Sequence, residues 1–95
     1  MTDAAAVRLV KSVLREAGLP EAEGGTAPGI PVTVPGWHVS RSPDGHGARV
    51  TYWGTQVLTG AEKRTALDGY APVLRAAGLT VGKAERGGFL PVTAW

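Results

Sequence analysis

A helix-ending phrase that occurs twice, sixty residues apart, constrains this chain more than any other feature of its sequence. Val13-Leu14-Arg15-Glu16-Ala17-Gly18-Leu19 returns as Val73-Leu74-Arg75-Ala76-Ala77-Gly78-Leu79, and Pro31-Val32-Thr33 returns in the same register as Pro91-Val92-Thr93. Each long copy reads as the last turns of an amphipathic helix. A left-handed Gly closes it, and a Leu folds back on the core. The chain is therefore expected to hold two helices, each leading into extended segments. Shared local physics accounts for such a phrase, because Ala, Leu and Arg favour helix and Gly stops it. The matching Pro-Val-Thr register keeps a duplicated helix-plus-strands unit open as the alternative.

Helix one is expected to start at Thr2 or Asp3 and to run to Ala17, with Ala6, Val10, Val13, Leu14 and Ala17 inward. Arg8, Lys11 and Arg15 line its other side, a basic face whose plainest account is solvation. The stretch 20–31 is rich in Gly, Pro and Glu, and reads as a flexible linker without regular structure. Ser42-Pro43-Asp44-Gly45 is a turn signal, expected to join Trp37–Arg41 to Gly47–Trp53 as a hairpin with a three-residue loop. Val39 would then face Arg49, and Trp37 would face Thr51. One hairpin face would carry Trp37, Val39, Arg41, Arg49, Thr51 and Trp53, and the other His38, Ser40, Ala48, Val50 and Tyr52.

Helix two opens on the capping box Thr59-Gly60-Ala61-Glu62 and is expected to continue, bent, through Pro72. Its inward stripe reads Ala66, Tyr70, Val73, Leu74 and Ala77. Leu79–Arg86 and Phe89–Trp95 form a second hairpin around Gly87-Gly88, with Val81, Leu90, Val92 and Ala94 toward the core. Pro91 in the last strand fits best at a sheet edge. The expected fold is α+β: two helices packed on one face of a four-stranded, mainly antiparallel sheet, in helix-hairpin-helix-hairpin order. At 95 residues the chain makes one small domain.

Composition narrows function mainly by exclusion. The chain has no cysteine, which removes disulfides and cysteine-ligated metal centres. No apolar run reaches the ~18–20 residues of a membrane span, and no signal peptide is visible, so a cytoplasmic protein with no membrane partner is expected. A net charge of +2 is modest for a nucleic-acid-coating protein. His38 and His46 would stand roughly 13 Å apart on the hairpin at ~3.3 Å per residue, too far to share an ion. Ser40 neighbours His38, yet no acid is placed to orient that ring and no Gly-x-Ser-x-Gly elbow exists. The glycines at 24–25 and 87–88 lack the strand-loop-helix context of a phosphate loop. No enzyme activity, cofactor or metal is expected.

The distribution of rings is what stands out. Trp37, Trp53, Phe89 and Trp95 fall on faces assigned away from the helices, beside Arg41 and Arg49. Such a surface suits another protein or a second copy of the chain, with Trp and Arg as anchors. That is the leading expectation: a small non-catalytic binding module, a homodimer included. The alternative is a nucleic-acid-binding accessory protein that stacks bases on the rings and takes phosphate with Arg41, Arg49 and the basic face of helix one. Both depend on which hairpin face is buried. The volume of the Ala-lined helices favours burying His38, Ala48, Val50 and Tyr52, and leaving Trp37 and Trp53 partly exposed. Hydrophobicity favours the reverse. A helix closed by Ala-Gly-Leu before a short hairpin also resembles many small proteins of high-GC bacteria and their phages, a likeness that transfers no functional residue.

Overall fold

The computed structural model describes residues 3–25, 29–42, 47–54, 59–83 and 88–93. Helix α1 spans Asp3–Glu16 and helix α2 spans Gly60–Ala76. Their ends are near copies. Leu19 N–H donates to the Leu14 carbonyl at 3.3 Å and Leu79 N–H to that of Leu74 at 3.2 Å. Gly18 and Gly78 donate to the carbonyls of Arg15 and Arg75, each at 3.0 Å. Their φ values are 76° and 89°. This six-to-one and five-to-two pattern is a Schellman cap, and the Leu that follows each Gly joins the core. At the start of α2, Glu62 N–H donates to Thr59 Oγ1 at 3.1 Å, and the Thr59 hydroxyl donates to Glu62 Oε1 at 3.2 Å. Thr2 lies outside the described residues.

Beyond the caps the two copies part. After α1 the chain forms β1 (Glu23–Gly24) and β2 (Val32–Val34), an antiparallel pair that stands as a separate two-stranded sheet. After α2 it forms β5 (Thr80–Val81) and β6 (Phe89–Thr93), which belong to the main sheet. Segment 20–31 is thus not an irregular linker throughout. Glu21 also makes a parallel bridge to Trp37.

The main sheet has the order β3-β4-β6-β5, with β3 at Gly36–Arg41 and β4 at Ala48–Trp53, and every pairing is antiparallel. Both helices pack on one face of it, as an α+β fold. The β1–β2 pair intervenes between α1 and the β3–β4 hairpin.

The β3–β4 register differs from the expected one by a single residue. Val39 pairs with Val50, Trp37 with Tyr52 and Ser40 with Arg49. Ser42 N–H donates to the Gly47 carbonyl at 3.2 Å, so four residues (43–46) connect the strands, not three. The turn residues Pro43, Asp44, Gly45 and His46 lie outside the described residues. Residues opposite one another in an antiparallel pair share a face. The observed register therefore joins Trp37 and Val39 to Ala48, Val50 and Tyr52 on the helix side. The expected register would have split these apolar residues between the two faces. Gly47 belongs to the same solution: its φ is +86°, and a Cβ there would overlap the carbonyl oxygen of Val92 on β6.

One buried cluster unites Ala6, Val10 and Leu14 of α1 with Trp37, Val39, Ala48 and Val50 of the hairpin. It continues through Leu67, Tyr70, Ala71 and Leu74 of α2 to Leu79, Leu90 and Val92. Ala17 and Ala77, expected inward, are exposed, because each follows the last helical residue. On α2 the buried stripe is Leu67, Tyr70, Ala71 and Leu74, with Ala66 and Val73 only at its margin. The helix runs continuously through Pro72.

In the β5–β6 pair, Val81 faces Val92 and Thr80 faces Thr93. This register is two residues from the expected one, and an even shift leaves each face unchanged. The Arg86, Gly87 turn and Ala94 lie outside the described residues. Pro91 is not on an edge strand, because β6 lies between β4 and β5. Its carbonyl accepts from Gly82 N–H at 3.0 Å, so its ring nitrogen points to the β5 side. It stands opposite Gly82, just past the end of β5, and because Pro91 cannot return that bond the β5–β6 ladder stops there.

Candidate functional site

The face of the main sheet turned from the helices follows from the register. Gly36, His38 and Ser40 of β3 alternate outward with Trp53, Thr51 and Arg49 of β4, and then with Phe89 and Pro91 of β6. Two stacked pairs lie across it. His38 stacks on Trp53, with ring centroids 3.9 Å apart and planes 16° from parallel. The Arg49 guanidinium sits over the Phe89 ring, 5.3 Å from its centroid. Thr51 lies between the pairs, opposite His38 on one side and Phe89 on the other, and its hydroxyl donates to the His38 carbonyl at 3.2 Å. Arg49 Nε donates to Ser40 Oγ at 3.2 Å. Every one of these side chains is half-buried.

Neighbouring elements set that partial burial. The end of β1 closes on the Trp53 ring: a Cβ added at Gly25 would come within 3.4 Å of it. His38 titrates below 6.5. Desolvation is the main cause, then the positive charge of Lys11; Glu21 opposes the shift, and Arg49 adds to it. At neutral pH the imidazole is therefore uncharged, and its stack on Trp53 is a contact between two neutral rings.

The structure sorts the expected site residues into three groups. Trp53, Arg49 and Phe89 share the outer face. Trp37 does not: it is 0% exposed at the centre of the core, and its indole N–H donates to the Leu19 carbonyl at 3.0 Å. Arg41 is exposed at the end of β3, but its register places it on the helix side, level with Ala48. Trp95 lies outside the described residues. The expectation that both hairpin Trp residues remain partly exposed is corrected for Trp37. The volume argument failed because the helices offer Val10, Leu14 and Leu74 as well as alanines, leaving a deep site for one indole.

The basic face of α1 is likewise not assembled with Arg49. Arg15 is engaged by Glu21 through contacts of 2.9 Å, 3.1 Å and 3.3 Å, and its guanidinium lies 5.9 Å from the Trp37 ring centroid. Arg8 Nε donates weakly to the carbonyl of Ala4 in its own helix at 3.5 Å. Lys11 is half-buried, and its charge acts on His38. Ser40, the sequence neighbour of His38, accepts a hydrogen bond from Arg49 through its hydroxyl oxygen. Among the described residues, no group of three or more His, Asp or Glu side chains is placed to hold a metal ion, and no helix is long and apolar enough to cross a membrane.

Sequence reasoning passed over one further concavity. Between α2 and the end of β5 lies a cleft of about 510 Å3, lined by Arg64, Asp68, Ala71, Arg75, Lys83 and Leu90. Spacings of four, three and four residues put Arg64, Asp68, Ala71 and Arg75 on one helical face, a signal present in the sequence. Lys83 arrives from another element, which only the fold brings near. No family model, curated protein or solved structure matches this chain.

Proposed function

We propose that this protein is a non-catalytic binding module that engages another protein, or a second copy of itself, through the outer face of its main sheet. The supporting observation is the pair of preassembled stacks on a sheet face over which neither helix packs. Trp53 and Arg49, residue types favoured as interface anchors, are already held in place by His38, Phe89 and Ser40. Ordering side chains before binding removes part of the entropic cost of association.

The sheet edges are less suited to the task. Residues 20–22 cover the start of β3: Trp37 N–H donates to Pro20 at 3.2 Å, and Ala22 N–H to Trp37 at 2.9 Å. On β5, Arg75 Nη2 reaches the Val81 carbonyl at 3.4 Å. Edges blunted in this way resist strand addition.

Magnitude sets the class of interaction. Four strands at ~4.8 Å spacing and about six residues at ~3.3 Å make a face of roughly 300–400 Å2. A standard stable interface needs about 800 Å2 per partner, so this face alone supports weak, transient association. Light scattering over a wide concentration range tests the self-association form. A concentration-dependent mass that falls to the monomer value in Trp53→Ala is expected. Strict monomers at every concentration would remove self-association and leave a different protein as the partner.

Nucleic acid is the weaker reading, because Arg41 lies on the helix side of the sheet and Arg15 is paired with Glu21. Titrating the intrinsic tryptophan fluorescence with single-stranded oligonucleotide at two salt concentrations checks it. Salt-dependent quenching would replace the protein-binding proposal.

A further inference from the structure

The cleft between α2 and the β5–β6 pair lies at the helix-side edge of the sheet, away from the aromatic face. Its chemistry differs too. Arg64, Arg75 and Lys83 set three cations against the single carboxylate of Asp68, a formal charge of +2. That equals the net charge of the whole chain. Among the described residues none of the three cations has an ion-pair partner; the recorded salt bridge is Arg15 with Glu21. Among the described residues Arg75 makes only its long contact to the Val81 carbonyl. The floor is apolar, formed by Ala71 and Leu90, which are 7% and 2% exposed.

We propose that this cleft binds a small organic phosphate, a phosphomonoester whose dianionic head is held by Arg64, Arg75 and Lys83 and whose apolar portion rests on Ala71 and Leu90. Guanidinium groups recognise phosphate bidentately, and Lys supplies a compact charge with freely oriented donors. The head carries close to two negative charges at neutral pH, the charge the cleft lacks. A volume of about 510 Å3 falls within the ~300–1,000 Å3 range of small-molecule sites. A hydroxyl on the ligand finds its acceptor at Asp68.

The test uses the full chain and three probes: phenyl phosphate, inorganic phosphate and phenol. Amide chemical shifts are followed by NMR at neutral pH through millimolar concentrations. Phenyl phosphate is expected to shift resonances of 64–75, 82, 83 and 88–90, inorganic phosphate to do so more weakly, and phenol not at all. Arg64→Gln and Lys83→Gln should each weaken phenyl phosphate binding by about tenfold, the loss expected for one charge-assisted contact. Arg8→Gln, a cation on the remote helix, should leave it unchanged. An amide spectrum retained in each variant separates loss of binding from loss of fold. The proposal is overturned by absence of saturable shifts, by shifts confined to other residues, or by affinity in Arg64→Gln and Lys83→Gln equal to that of the unsubstituted protein. Binding that Arg8→Gln weakens as much as Arg64→Gln would show general charge attraction and overturn it too.

Discussion

Trp37 is the largest fully buried side chain, and its indole N–H is satisfied by the Leu19 carbonyl. Replacing it with Ala removes a ring buried where α1 packs on β3, and should cost about 3–5 kcal/mol in urea denaturation. Trp53 is half-buried and stacks on His38, so Trp53→Ala should cost clearly less. Acrylamide should quench Trp53 and leave Trp37 protected, which single-Trp variants resolve. His38 adds a pH dependence whose sign is determined. Its folded-state value lies below 6.5, so below that pH the unfolded chain binds a proton that the native ring resists. The stability it contributes is complete above 6.5 and declines as pH falls toward the native value. Proton NMR of the imidazole should give a midpoint under 6.5 in the native protein and near 6.5 in urea. At the alkaline end, burial raises the Tyr70 hydroxyl to about 12, with Tyr52 adding to the effect. Stability should therefore fall between pH 10 and about 12, with the phenolate band near 295 nm as the readout.

At the scale of elements, the two Schellman caps make a controlled pair. Gly18 and Gly78 have positive φ, and no atom lies within 4 Å of a Cβ added at either. Gly18→Ala and Gly78→Ala should thus show backbone strain alone, about 1–2 kcal/mol each. Gly47→Ala combines the same strain with a collision against β6 and should cost more than either. Gly69 is the opposite case: it is exposed in the middle of α2 with open space around it. Gly69→Ala should stabilise the protein by roughly 0.5–1 kcal/mol in the same denaturation assay. Arg15 with Glu21 ties the end of α1 to the segment that covers β3. As an exposed pair it contributes about 0–1 kcal/mol, so its value lies in placing residues 20–22 more than in energy.

At the scale of the whole molecule, a single apolar cluster contains residues from both helices and the four-stranded sheet. Far-UV circular dichroism and tryptophan fluorescence should consequently report one coincident unfolding transition. The layer arrangement also separates two surfaces. The aromatic stacks occupy the sheet face without helices, and the cationic cleft sits where α2 meets the sheet edge. Trp53→Ala and Arg64→Gln are therefore expected to act independently, each changing its own binding assay and not the other.

Much of this architecture is legible in the residues because it rests on interactions within a few positions. Gly18-Leu19 and Gly78-Leu79 close helices by local hydrogen bonds, Thr59 caps α2 through Glu62, and alternation assigns Leu90 and Val92 to one strand face. Alternation also groups Trp53 with Arg49 on one face of β4 and sets Phe89 on the face opposite Leu90 and Val92 on β6, without saying which face of the hairpin turns outward. What the sequence left open was the phase between strands, because a turn of three or four residues reads almost alike around Pro43-Asp44-Gly45. Tertiary packing decided it. One residue of register places Trp37 and Val39 beside Ala48 and Val50 over a shared core, and sends Trp53 to the other side. Lys83 meets Arg64 and Arg75 for a similar reason. Local preference specifies an element, but only the burial of several apolar faces against one another specifies which surfaces those elements leave outside.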